Sequence, residues 1–168
     1  MNKKLKILGI DPGYGRTGWG MIEDQGNRLG LLEYGCIETN DKLEFVDRLE
    51  LIYHQMELIL KKYQPDLVAV EELFFCKNTT TAIKVGQARG VVLLVAKLAG
   101  AQVVEYTPLQ VKQAIVSYGK AEKKQVQYMV KIFLGLESIP KPDDAADALA
   151  IAICASNSYK LKNFYGKA

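Results

Sequence analysis

Apolar and polar positions change period along the chain, and the changes mark its elements. Leu5, Ile7, Leu8 and Ile10 form a short β-type run that ends at Asp11, and Pro12-Gly13-Tyr14-Gly15 follows as a turn. Thr17 to Glu23 and Arg28 to Thr39 read as two more strands with Gln25-Gly26-Asn27 as the hairpin turn. From Leu43 to Tyr63 the period becomes helical, with Phe45, Leu49, Ile52, Met56, Ile59 and Leu60 on one stripe. Asp66 to Glu71 is a strand introduced by Pro65, Thr80 to Leu98 a helix of small and apolar residues, and Gln102 to Tyr106 a strand. Thr107 and Pro108 open a helix as N-cap and first residue. Helices near 108–118 and 122–134 flank Gly119, and Pro140 and Pro142 lead into a last helix from Asp143 to Ser158.

Three antiparallel strands followed by β-α units make an α/β fold: a mixed five-stranded sheet with helices on both faces. With 168 residues, 49% hydrophobic and 24% charged, residues 1–158 suit one domain with its own core, leaving 159–168 as a basic, frayed tail. A net charge of +3 is too small to identify a nucleic-acid partner, so the local distribution has to carry that argument. Cys36, Cys76 and Cys154 are scattered, which suits a reducing cytoplasm, and no CxxC or Cys/His spacing suggests zinc. His54, the single histidine, reads as a surface or packing residue. No apolar run approaches the ~18 residues of a membrane span, and the apolar stretch after the basic start meets Asp11 too soon for a secretory signal.

The acids carry the chemistry. Asp11 and Glu71 each end a predicted strand, and if those strands are parallel neighbours both carboxylates sit at the carboxyl edge of the sheet. Each also has a bland reading: Asp11 caps a turn, and Glu71 or Glu72 is solvated. In Pro142-Asp143-Asp144-Ala145-Ala146-Asp147-Ala148, acids at a helix start are ordinary capping, but Asp147 lies a full turn in, where capping no longer needs it. Asp144 and Asp147 share a helix face, and so do Asp143 and Asp147; spacing does not choose between them. Ala145, Ala146 and Ala148 would let this helix lie close on the sheet. Four carboxylates without histidine call for hard cations, Mg²⁺ or Mn²⁺. Two such ions ~3.5–4 Å apart are the arrangement for in-line phosphodiester displacement.

Taken in order, Ile10-Asp11-Pro12-Gly13, Val70-Glu71-Glu72 before Phe74, Gly86-Gln87-Ala88-Arg89-Gly90, Gln110-Val111-Lys112-Gln113, Ala121-Glu122-Lys123 and Asp144-Ala145-Ala146-Asp147-Ala148-Leu149-Ala150 resemble the RuvC family. These are bacterial Holliday-junction resolvases of the RNase H-like fold, and the match runs from about Leu5 to Ala155. The resemblance implies a homodimeric endonuclease that nicks four-way DNA junctions symmetrically in recombination and repair. It implies two Mg²⁺ per site, with Mn²⁺ able to substitute, 5′-phosphate products and a link to the RuvA–RuvB branch-migration machinery. It places the catalytic and metal-holding acids on Asp11, Glu71, Asp144 and Asp147, with Asp143 a bystander. The junction-inserting aromatic falls on Phe74, a loop base on Lys77, and DNA-contacting lysines on Lys112 and Lys123.

The residues themselves agree. Between Leu109 and Lys131, Lys112, Lys120, Lys123, Lys124 and Lys131 face a single acid, Glu122. A basic segment beside an acidic site suits a polyanion held at a metal centre; the alternative is a solvated helix face. Phe74 and Phe75 follow the Glu71-Glu72 pair in a loop, where an exposed ring stacks on an unpaired base and one of the two is expected to be buried. The 80–98 helix is apolar almost all round, as a central buried helix or a two-fold dimer face would be. Competing readings are a sugar-kinase-type or actin-type ATPase using Gly15 and Gly18 as a phosphate loop, for which 168 residues supply no second lobe; a non-catalytic nucleic-acid module, against which the four acids stand; and a resolvase-like nuclease acting on RNA.

Overall fold

A computed structural model describes residues 4–73 and 79–165, with 162–165 by backbone alone. The strands are β1 (Leu5–Asp11), β2 (Arg16–Asp24), β3 (Leu29–Glu38), β4 (Leu67–Glu71) and β5 (Gln102–Tyr106). The helices are α1 (Phe45–Tyr63), α2 (Thr79–Leu98), α3 (Pro108–Val116), α4 (Lys123–Leu134) and α5 (Asp143–Tyr165). The sheet runs β3-β2-β1-β4-β5. The first three strands pair antiparallel, while β4 joins β1 and β5 joins β4 in parallel. This is the mixed five-stranded sheet expected from the pattern.

Strand alternation divides the core. Leu8, Ile10, Met21, Val68 and Val70 pack with Ile52, Met56 and Leu60 of α1 and Ala88, Val92 and Val95 of α2. Ile7, Ile22, Leu67 and Ala69 pack with α3, α4 and α5 through Val111, Ile115, Val126, Val130, Leu149 and Ile153. Burying each large aliphatic side chain of these layers stabilises the fold by about 1.5–3 kcal/mol. Asp11 and Glu71 have the parity of Ile7 and Leu67, so they belong to the α5 side of the sheet.

The approach of α5 is set by missing side chains. Ala145 and Ala148 are fully buried. A Cβ added to Gly9 would lie 2.0 Å from the Ala148 carbonyl oxygen, and one added to Gly18 would lie 2.0 Å from that of Asp144. Helix backbone therefore rests directly on strand backbone, which no larger residue permits.

Helix ends show where local chemistry overrode the expected spans. Thr107 caps α3, its hydroxyl accepting from Gln110 N at 3.2 Å while Gln110 Oε1 accepts from Thr107 N at 2.8 Å. Ser117, at φ 57°, stops that helix short of 118. In contrast, α5 continues past Ser158 to Tyr165. Buried Asp24 anchors its later turns, accepting from Ser156 Oγ at 2.5 Å and pairing with Lys160 at 3.0 Å. The segment from 159 to 165 is thus helical where a frayed tail was expected. Among the described residues no helix is long and apolar enough to cross a membrane.

Candidate active site

Asp11 and Glu71 are the last residues of β1 and β4. Ile10 and Val70 are partners in the parallel ladder, so the two carboxylates leave neighbouring strands on the same face. Gly18 is the β2 partner of Asp11, and the Asp144 backbone rests on it. The α5 N-terminus is thereby placed over the end of β1, with Asp144 and Asp147 on the turns nearest the strand acids.

The electrostatics bear out this convergence. The Asp11 carboxyl is pushed up to about 8, first by burial and then by the charges of Glu71, Asp147 and Asp144, with Lys123 working against them. Glu71 rises to about 7, again by burial first and then by Asp147, against Lys123 and Lys112. Asp147 is also raised by burial, which outweighs the hydrogen bond from Lys123. Asp143 behaves oppositely. Lys141 Nζ donates to its Oδ1 at 2.7 Å and holds it below the ordinary carboxylate range. Of the two acids that helix spacing left equivalent, Asp143 is engaged by Lys141, whereas the charge of Asp144 acts on Asp11.

Cations line the acids. Lys123 Nζ stands 2.7 Å from Asp147 Oδ2. Burial opposes the charge of Lys123, but Asp147, Asp143 and Asp144 outweigh it and raise its pKa. Lys112 and Lys123 share a cavity of about 230 Å³ with Glu71, Asp147, Pro108 and Val126. Glu72 is exposed, and its backbone N donates to Tyr106 O at 2.8 Å. His54 is a surface residue 3.7 Å from Glu50. Phe74, Phe75, Cys76 and Lys77 lie outside the described residues.

Sequence reasoning missed several contributors. Arg16 Nη1 lies 3.9 Å from Asp144 Oδ2, and its Nε 3.4 Å from Glu38 Oε1. Arg89 Nε donates to the Glu71 carbonyl oxygen at 3.0 Å while its Nη2 pairs with Glu105, bracing the end of β4. Gly9 was legible only as a strand residue, and Gly18 as a strand residue or part of a phosphate loop. Their signal was parity: both fall on the face that carries Asp11, where a glycine admits a close neighbour.

The donor set is all oxygen, and Asp11 and Glu71 are lifted first by burial and then by neighbouring carboxylates, Glu71, Asp147 and Asp144 for Asp11 and Asp147 for Glu71. That chemistry fits a hard divalent cation. Among the described residues, no three acidic, cysteine or histidine side chains are drawn together into a ready-made ion shell.

The model of the family described as crossover junction endodeoxyribonuclease RuvC matches residues 7–155. This chain belongs to the RuvC family. A relative of that description from Halothermothrix orenii is 58% identical over 162 residues, covering 96% of this chain and 98% of the relative. One from Desulfitobacterium hafniense is 58% identical over 164 residues, covering 98% and 99%. Among solved structures, Thermus thermophilus RuvC in complex with a Holliday junction substrate is similar with a TM-score of 0.89 at 37% identity, covering 94% of this chain and 96% of that one. The yeast mitochondrial Holliday junction resolvase is similar with a TM-score of 0.69 at 13% identity, a likeness of fold. The RNase H-like α/β fold implied by the sequence motifs is therefore the fold observed.

Proposed function

We propose that this chain is a structure-selective endonuclease that resolves four-way DNA junctions by paired, symmetric nicks in recombination and repair. The observation that carries the reading is the gathering of Asp11, Glu71, Asp144 and Asp147 at one sheet edge beside Lys112 and Lys123, in a chain of the RuvC family. An RNA substrate has no support: the family and its relatives are described as endodeoxyribonucleases.

The four acids would hold two divalent cations, magnesium by preference with manganese as substitute. Such a pair supplies charge stabilisation to both the attacking and the leaving oxygen in phosphodiester hydrolysis. The chain's own residues do the rest. Burial favours the protonated form of Asp11 and Glu71, so a bound cation would displace their protons, and the all-oxygen donor set selects for hard cations. Lys112 and Lys123 hold the strand's phosphates as point charges. Asp147, paired with Lys123 at 2.7 Å, would be one of the residues holding a cation beside that lysine. Phe74 and Lys77 act at the junction centre, the ring stacking on an unpaired base.

Symmetric cleavage needs two sites. Helix α2 supports a homodimer: Ala88, Val92 and Val95 are buried against the sheet, while Ile83, Leu94 and Leu98 are 63%, 56% and 68% exposed on the same helix. An apolar face of that kind suits a two-fold interface. The dimer would work in the cytoplasm with the RuvA–RuvB branch-migration complex.

The deciding experiment compares a mobile four-way DNA junction with a linear duplex of the same sequence, in Mg²⁺. Paired nicks with 5′-phosphate ends in the junction alone are expected. Equal cutting of both DNAs, or cutting only of an RNA version, would refute the reading.

A further inference from the structure

At the same sheet edge, on the α1–α2 side, lies a second cationic cluster. Arg48 of α1 is only 9% exposed. Its Nε donates to Thr39 Oγ1 at 2.8 Å, and that hydroxyl donates to the Tyr14 carbonyl oxygen at 2.6 Å. The guanidinium carbon lies 4.8 Å from the centre of the Tyr14 ring. Lys84 of α2 brings its Nζ to 5.7 Å from the centres of both the Tyr14 and Phe45 rings, which meet edge-on at 6.0 Å. Thus α1, α2 and the turn after Asp11 deliver two cations and two rings to one place.

A buried arginine normally has a carboxylate partner. Among the described residues neither Arg48 nor Lys84 is in an ion pair, although Glu44, Asp47 and Glu50 stand at the start of α1, and Glu50 turns to His54 instead. The cation–π contact offsets about 0.5–2 kcal/mol. Removing an ion from water costs several kcal/mol, so the contact alone leaves the guanidinium under-compensated. Its nitrogens are also not among the sealed, unsatisfied polar atoms of the described residues, where only Gln127 Nε2 is found. A guanidinium fixed through Nε and by a ring, beside a free ammonium, is built to receive an oxyanion.

We propose that Arg48 and Lys84, with the Tyr14 ring between them, hold a backbone phosphate of the DNA strand as it leaves the acidic site on the α1–α2 side. Lys112 and Lys123 grip the strand on the other side, from α3 and α4. This inference rests on the junction-nuclease reading. Tyr14 is three residues from Asp11, so one short turn joins the phosphate site to the acids. A strand crossing the acidic edge needs cations both before and after it, because the acids between repel phosphate.

The test measures junction affinity against salt concentration in metal-free buffer for the full chain, with thermal unfolding of every variant. Lys84→Ala is expected to bind the junction roughly five-fold more weakly, to flatten the logarithmic salt slope by about 0.9, and to melt with the wild type. Arg48→Lys, which keeps the charge and loses the planar fork, is expected to bind more weakly with an unchanged slope. Lys61→Ala, whose lysine pairs with Glu57 at 3.1 Å, is the control expected to match wild type. Unchanged affinity and slope in Lys84→Ala, with or without a lower melting temperature, would overturn the proposal and leave the cluster as packing. Failure of the wild type itself to bind any four-way junction would instead overturn the junction-nuclease reading.

Discussion

Asp11→Asn should make the metal-free protein more stable while abolishing cleavage. In the folded chain the Asp11 carboxyl titrates at about 8 against an ordinary 3.8, chiefly through burial and then through Glu71, Asp147 and Asp144. A raised carboxyl means that the folded state binds the proton more tightly than the unfolded chain does. Its stabilising effect is therefore fully present below pH ~4 and is lost progressively as pH rises toward 8. At pH 7, about three pH units above the unfolded value and at 1.36 kcal/mol each, the penalty approaches about 4 kcal/mol. Asparagine removes the titration but leaves a buried amide whose missing partners cost about 1–3 kcal/mol. The net gain is then about 1–3 kcal/mol, or roughly 2–10 °C in melting temperature for a domain of this size. Thermal unfolding in a chelator between pH 5 and 8 reads it directly. Wild type should lose stability as pH rises, and Asp11→Asn should lose less. Magnesium should reverse the ranking, because only the wild type keeps the complete acid set. A variant that melts below wild type at pH 8 without metal, with the same pH dependence, would show that Asp11 is a satisfied structural residue.

Asp144→Asn should lose most junction cleavage and keep junction binding, whereas Asp143→Asn should cut like wild type because its carboxylate belongs to Lys141; a gel assay of both suffices. Lys112→Ala with Lys123→Ala should weaken junction binding and flatten its salt slope by about 2, measured by titration at several salt concentrations; an unchanged slope would make these lysines a solvated face. Gly18→Ala should cost more than about 1–3 kcal/mol, since its Cβ would stand 2.0 Å from the Asp144 carbonyl oxygen; calorimetry and cleavage should fall together, and a native-like melting profile would refute the flush packing of α5. Phe74→Ala should keep wild-type stability and cut intact junctions poorly, with cleavage recovered on a junction already carrying unpaired bases at its centre. A drop of about 3–5 kcal/mol would assign Phe74 to the core.

The order of elements was legible in the sequence because strand alternation and helical stripes come from local burial, and each run had a turn or cap at its end. Leu5–Asp11 and Gln102–Tyr106 coincide with their expected limits, and the Thr107 cap does what its side chain allows. The acids stood out as candidates chiefly because Asp147 lies a full turn inside an alanine-rich helix, beyond where capping needs it. What stayed hidden depends on partners distant in the chain. Asp143 and Asp144 are equivalent by spacing, and only the seating of α5 on Gly18 and the hydrogen bond from Lys141 distinguishes them. Arg16 meets Asp144 across 128 positions of sequence, and Arg89 braces Glu71 from a helix packed on a different strand. The end of α5 was misjudged for the same reason: a basic segment looks frayed until buried Asp24 is placed beside Ser156 and Lys160. Periodicity records which face of an element is buried. Which polar group meets which is decided by register and by backbone approach, and those exist only once the sheet and α5 are packed together.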